Sequence, residues 1–282
     1  MGEKDLAEKI LIDYNDVFAD IINVCAFEGK EIVKADSLRN TSVHSQYKAL
    51  DGRLHEEERD VAKYWTEKQA AIVLYGIENQ STVDDRMPFR IIGYDGAAYC
   101  SQLLDRQKNI VPVVSFVLYF GTEKRWTKKK NIKEVLTIPK GLEDYVSDYK
   151  INVIEVAWLS DEQLKQFRSD FGIVANFFVQ QRKKKDYIPD EREIRYVDAM
   201  MKLLSVMTGD NRFEKILYNE NNEKVGGKTM CEAIDRWVKI GKDEGISQGL
   251  SQGINQGRSE GENAELLELP IEEVRQLISE SK

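Results

Sequence analysis

The 282-residue chain has two histidines and three cysteines, and no apolar run approaches the ~20 residues of a membrane span. Each scarcity excludes a class of chemistry. His44 and His55 lie in one polar segment, too few for a multi-histidine metal centre or for histidine–metal nuclease chemistry. Cys25, Cys100 and Cys231 are odd in number, far apart and without a C-x-x-C pair, which fits a reducing compartment and argues against structural zinc. The N-terminal MGEKDLAEKILIDY alternates charged with apolar residues and has no signal-peptide core, so a cytoplasmic protein with no membrane partner is expected. G-x-S-x-G occurs at 245–249 and again at 249–253, but inside a tetrapeptide repeat with no strand before it. A nucleophile elbow needs that strand, so the match does not support a serine hydrolase.

What is present is enough apolar residue, 41%, for one large domain or one domain with additions. The net charge of −8 argues against a polyanionic partner only until its distribution is read. Residues 239–282 hold five Lys/Arg against nine Asp/Glu, so −4 sits in that tail. The body carries two basic runs, Lys124-Arg125-Trp126-Thr127-Lys128-Lys129-Lys130 and Arg182-Lys183-Lys184-Lys185. Either suits a DNA-facing groove or a solvated loop.

Periodicity orders the elements. Residues 5–24 read as one or two helical segments broken near Asp13–Asp16, residues 30–34 as a short edge strand, and 36–58 as a polar loop. Arg59–Trp65 alternates, with Asp60, Ala62 and Tyr64 on one face; 66–69 reads as a turn and Ala71–Ile77 as the returning strand. A helix is expected over 85–105, strands over 111–119 and 151–158, a helix over 161–181, and helix throughout 191–238. The class is α/β with a mixed sheet. Four parts follow: a body at 1–185, a helical extension at 186–240, a glycine-every-four segment at 241–262, and a short terminal helix at 263–282.

The stretch LYGIENQST stands out because the most apolar strand ends in a carboxylate, Glu78, and an amide, Gln80. A strand has a period of two, so both point to one face while Asn79 points to the other. If Asp60 faces the same way from the neighbouring strand, two carboxylates converge. With the Asn79 carbonyl and water they form an oxygen set suited to Mg²⁺, or to Mn²⁺, for phosphodiester hydrolysis. The next helix carries Arg86, Arg90 and Tyr94, spaced by four and so on one face, where arginines reach phosphates.

The phrases VFADIIN, ERDVAKYW, YGIENQS, DRMPFRIIGYD, VPVVSFVLYFG and DYKINVIEVAWL, in this order from about residue 4 to about 180, resemble the Rpn family. Its members are called recombination-promoting nucleases or putative transposases, within the PD-(D/E)XK nuclease superfamily. The resemblance implies an αβββαβ core, a mixed central sheet flanked by helices, and a Mg²⁺-dependent DNA endonuclease serving recombination or mobile-element processing. It places Asp60 and Glu78 as the acids of the second and third core strands, Gln80 at the superfamily's lysine position, and Asp20 at an acidic position of the first helix. The departure at Gln80 removes a positive charge, although the family commonly has E-x-Q. The rival readings are a catalytically weak or inactive DNA-binding or assembly protein on the same fold, and a transposase of the RNase H type, which the spacing of Asp60 and Glu78 fits poorly.

Gly245, Gly249, Gly253, Gly257 and Gly261 would line one drifting helical face. Each costs about 1 kcal/mol against alanine in a helix, so the segment is a marginal helix alone, which either packs its small-residue stripe on another helix or stays disordered. Homo-oligomerisation through it predicts that a chain ending at Trp237 sediments as a smaller assembly than the full chain. Equal assembly states in analytical ultracentrifugation would refute that.

Overall fold

In a computed structural model the described residues are 9–41, 44–48, 54–67, 70–104, 109–127, 129–183, 188–217, 229–236, 238–240, 242 and 270. The chain divides into two compact units, Met1–Cys231 and Glu232–Lys282. In the second, residues 232–236 are helical. The glycine repeat, and the terminal helix apart from Pro270, lie outside the described residues.

The first unit begins with a helical turn at 9–13, a bend at Tyr14, and α1 (Asn15–Phe27). α1 ends where Glu28 adopts the left-handed conformation and its N–H returns to the Asn23 carbonyl. The expected strand at 30–34 does not form. Asn23 instead holds this stretch from inside: its Oδ1 accepts the N–H of Ile32 and Val33, at 3.1 and 2.8 Å, and its amide donates to the Val33 carbonyl at 2.8 Å. The stretch expected as a loop holds β1 (Leu38–Asn40) and the antiparallel pair β2 (His44–Lys48) and β3 (Leu54–Glu58). Then come β4 (Val61–Glu67), β5 (Ala70–Gln80), α2 (Met87–Leu104), β6 (Val113–Tyr119) and β7 (Asn152–Glu155).

Strands β1, β4, β5, β6 and β7 form one five-stranded sheet in that spatial order. β1–β4 and β4–β5 are antiparallel, while β5–β6 and β6–β7 are parallel, so the sheet is mixed, as expected. A parallel step requires a crossover, which α2 supplies between β5 and β6. The succession α1, β1, β4, β5, α2, β6 is the αβββαβ order, with β2–β3 inserted and β7 added.

Helices cover both faces. Val117 and Tyr119 of β6 pack with Met87, Ile91 and Tyr94 of α2, Trp126 and Ile151. On the other face Phe120 meets the rings of Phe171 and Phe178 in α4 (Phe171–Lys183), which follows the one-turn α3 (Asp161–Leu164). The single helix expected over 161–181 is thus two, separated by a turn at 165–170. The helix expected throughout 191–238 is also interrupted. α5 (Val197–Thr208) stops at Gly209, which takes the left-handed φ of 72°, and α6 (Arg212–Lys215) adds one turn.

One contact ties the two halves of the sheet to α2. The Arg59 guanidinium lies across Gly76 of β5 and pairs with Asp95 of α2; both side chains are 4% exposed. A Cβ at position 76 would stand 2.0 Å from the guanidinium nitrogen. Gly76→Ala is therefore expected to lower stability by about 1–3 kcal/mol, the range of core overpacking, because Arg59 is held at its far end and cannot step aside. Chemical denaturation checks this; an unchanged midpoint would mean that Arg59 is free to move.

Candidate active site

The ladder between β4 and β5 pairs Val61 with Ile77 and Ala62 with Gly76. One step further out, the residues facing each other are Asp60 and Glu78. Their contact is reciprocal: the Asp60 N–H donates to Glu78 Oε1 at 3.2 Å, and the Asn79 N–H donates to Asp60 Oδ2 at 2.7 Å. The two acids proposed from the sequence are thus neighbours on the face that α2 covers. They sit at the C-terminal end of β5, the strand edge where parallel β6 and β7 also terminate.

Cations flank the pair. Arg90 of α2 donates to Glu78 Oε2 and to the Tyr94 hydroxyl, both at 3.3 Å, and also stands 3.7 Å from Asp84. Lys9 Nζ lies 4.0 Å from Asp60 Oδ1. Gln80 is half-buried on the face of Glu78, beside Tyr119 of β6. Asn79 is buried on the opposite face.

Two further candidates take other places. Asp20 uses its carboxylate to accept the N–H groups of Arg168 and Ser169, at 2.9 and 2.7 Å, so it orders the turn that leads into α4. Tyr94 is 6% exposed; it packs in the α2 core and lies under the Arg59 guanidinium, 5.3 Å from its ring centre. It lies against Arg90 and Arg59 and leaves little surface for a nucleic acid. Arg86 is exposed in the turn before α2, and its carbonyl accepts the Arg90 N–H.

The sequence reading passed over Arg59, Asp95 and Lys9. Asp95 did carry a signal: it falls in phase with the buried positions Met87, Ile91 and Tyr94 of α2, where a carboxylate must have a buried donor. Arg59 carried none. Strict alternation would send it away from Asp60, but the bend at Asp60 breaks the alternation and lets both serve the α2 face.

The electrostatics favour an added cation. Burial, and then the charge of Asp60, push the Glu78 carboxyl up from 4.5 to about 8, against the opposing pull of Arg90 and Arg59. Glu78 therefore bears its negative charge only at a cost, which a divalent ion between it and Asp60 would relieve. Among the described residues no group of three or more His, Cys, Asp or Glu side chains is arranged to hold a metal ion; the acids that stand together here are two, Asp60 and Glu78. That set fits Mg²⁺, which commonly takes one or two carboxylates and keeps several waters or substrate oxygens.

The profile of a family described as putative transposase, YhgA-like, matches residues 30–211. That span takes in β1 through α5 and both acids. Searches of curated proteins and of solved structures find no significant match.

Between its ordinary value of 4.5 and about 8, folded Glu78 keeps a proton that the unfolded chain has released. Stability in metal-free buffer is therefore expected to fall as pH rises through that window and to level off above it. Glu78→Gln has no proton to lose and is expected to show a flatter profile and a higher melting temperature at the alkaline end. Thermal unfolding of both proteins in EDTA across this range checks it, and parallel profiles would refute it.

Proposed function

Because the chain belongs to the YhgA-like family of putative transposases, the Rpn/YhgA group of the PD-(D/E)XK superfamily, we propose that it is a DNA endonuclease that hydrolyses phosphodiester bonds with Mg²⁺ or Mn²⁺ and serves recombination or mobile-element processing. The observation that carries this reading is the register that sets Asp60 beside Glu78 at the end of β5. We assign metal binding to these two carboxylates and the Asn79 carbonyl. A bound divalent ion would supply Lewis acidity and lower the pKa of its water. Its affinity rises with pH through about 8, because Glu78 must shed its proton to ligate.

The remaining residues supply orientation and charge. Gln80, on the face of Glu78, offers an amide that donates and accepts without carrying charge, so it suits positioning of a water or a phosphate oxygen. The missing charge has two nearby sources, Lys9 beside Asp60 and Arg90 beside Glu78. Arg90 keeps 37% of its side chain exposed and can turn from Glu78 to a phosphate once a metal ion neutralises the carboxylate. Arg86, exposed one turn earlier, is the next phosphate contact along that side. Asp20 and Tyr94 act in this reading as structural supports.

The second reading, a nuclease-fold protein that holds DNA without cutting it, draws on the uncharged Gln80 and on the hold that Arg90 and the Asp60 N–H already have on Glu78.

Plasmid nicking separates the two. Nicking that needs Mg²⁺ or Mn²⁺, stops in EDTA and falls by at least about 100-fold in Asp60→Asn and in Glu78→Gln supports the endonuclease, a loss comparable to removing one preorganised charge-stabilising group. Lys9→Met is expected to reduce the rate less than either acid change. Nicking that survives both acid variants refutes the site. DNA retention without cleavage under either metal supports the second reading.

A further inference from the structure

The two basic runs are separated by more than fifty residues in the chain, yet they meet at one side chain. Trp158, in the 3-10 turn that follows β7 (Val156–Trp158), has the Arg125 guanidinium 5.3 Å and the Arg182 guanidinium 4.6 Å from its ring centre. Arg125 belongs to the first run and Arg182 to the second, in the last turn of α4. Like charges gathered this closely need a compensating partner. The indole face supplies part of it, and Glu155 accepts from Arg125 Nε and Nη2 at 3.3 and 2.8 Å.

The loop that carries Lys124 and Arg125 is fixed, not merely exposed. Trp126 is fully buried and meets Tyr119 edge-on at 5.4 Å between ring centres. The Trp126 backbone N–H donates to Glu155 Oε1 at 2.8 Å, and the Tyr119 hydroxyl donates to the Lys124 carbonyl at 2.8 Å. Trp158 itself donates to the Gly121 carbonyl at 3.2 Å. Gly121 is obligatory here, since a Cβ would stand 2.1 Å from the Tyr119 hydroxyl. Lys124 and Arg125 are therefore presented outward from a rigid anchor, with Arg125 55% exposed.

Their position relates them to the acids. The parallel registers put Gln80, Tyr119 and Glu155 in one row across β5, β6 and β7. Two strand spacings are about 10 Å, close to three nucleotide steps along one DNA strand at about 3.4 Å each. Gln80 ends the row at β5, with Glu78 two residues earlier on the same face and Asp60 beside it on the β4 side, and Glu155, which holds Arg125, ends the row at β7.

We propose that Arg125 and Arg182, gathered around Trp158, with Lys124 exposed beside Arg125, form a phosphate-binding platform that holds the DNA backbone a few nucleotides from Asp60 and Glu78. This rests on the endonuclease reading for its ligand. The contact is to phosphates, so it sets the register of the duplex and reads no sequence.

The test is binding of a fluorescent duplex by the full chain in EDTA, followed by anisotropy over a range of NaCl concentrations. Lys124→Gln and Arg125→Gln are each expected to reduce the slope of log K against log [salt] by about 0.9, and to weaken binding several-fold and equally on unrelated sequences. Arg125→Lys keeps the charge and is expected to keep the slope. An unchanged slope in the doubly substituted protein, with thermal unfolding unchanged, overturns the proposal. If that protein melts early, Lys124→Gln alone decides, because its side chain projects into solvent. A slope that responds on single-stranded RNA and not on duplex DNA also overturns it. Binding is measured without metal, so failure of the endonuclease reading shows separately, as Asp60→Asn nicking like the unsubstituted protein.

Discussion

The buried ion pair between Arg59 and Asp95 is the constraint on which the site depends. Neither side chain has appreciable access to water, and isolated charges at such depth would cost several kcal/mol each. The pair is acceptable because Asp95 is hydrogen-bonded on both oxygens. Asp95 accepts from Arg59 and Ser115 on one oxygen and from the Tyr149 hydroxyl on the other. Burial, with the hydrogen bond to Asp95 and its charge, pushes the Tyr149 phenol well up, so it stays a donor. These residues come from the head of β4, from β6, from α2 and from the segment before β7, and Arg59 crosses β5 at Gly76. One network therefore fixes α2 against three strands of the sheet. Losing one partner strands a charge, which typically costs about 3–5 kcal/mol. Replacing the network with apolar residues would spare that cost but leave the pitch of α2 less defined.

What the network fixes is the geometry of its neighbours in sequence. Asp60 follows Arg59, so anchoring the guanidinium sets where the next carboxylate lies. Tyr94 precedes Asp95 and Arg90 lies one turn earlier, so anchoring α2 sets where the cation meets Glu78. The acids and their flanking cations sit at the margin of a rigid interior and not on a mobile loop. That suits chemistry in which a misplacement of an ångström is expensive. The same rigidity holds the two carboxyl groups together, and burial, then the charge of Asp60, raises the proton affinity of Glu78.

How much of this was legible in the sequence varies with the physical origin of each feature. The apolar runs that became β5 and β6 are buried on both faces and read clearly. Asp60 and Glu78 could be paired before any coordinates, because period-two alternation and a short connection leave few registers. β1 was missed because three residues of mixed polarity carry no periodic signal. The strand expected at 30–34 failed because Asn23, a residue of the preceding helix, satisfies the backbone groups that a neighbouring strand would have taken. Asp20 and Tyr94 look like site residues in a linear pattern, yet the fold uses one to order a turn and the other to fill a core. Lys9 and Arg59 were invisible because their roles depend on contacts across the fold or on a local bend. No local pattern encodes either.

The departure at Gln80 looks less severe in three dimensions than in one. A lysine at that position would place a charge on the strand that bears Glu78. Here positive charge enters the same neighbourhood from two other directions, from the helical turn at 9–13 and from α2, each within 4.0 Å of a carboxylate oxygen. The strand then carries an amide, which can orient a ligand without competing with a metal ion for the acids. Charge supplied from separate elements is also conditional charge: Lys9 contributes only when the first helical turn is docked, and Arg90 only when α2 holds its pitch. Positive charge at the acids is thus tied to the integrity of the fold around them, and through Asp95 to the ion pair that keeps α2 in place.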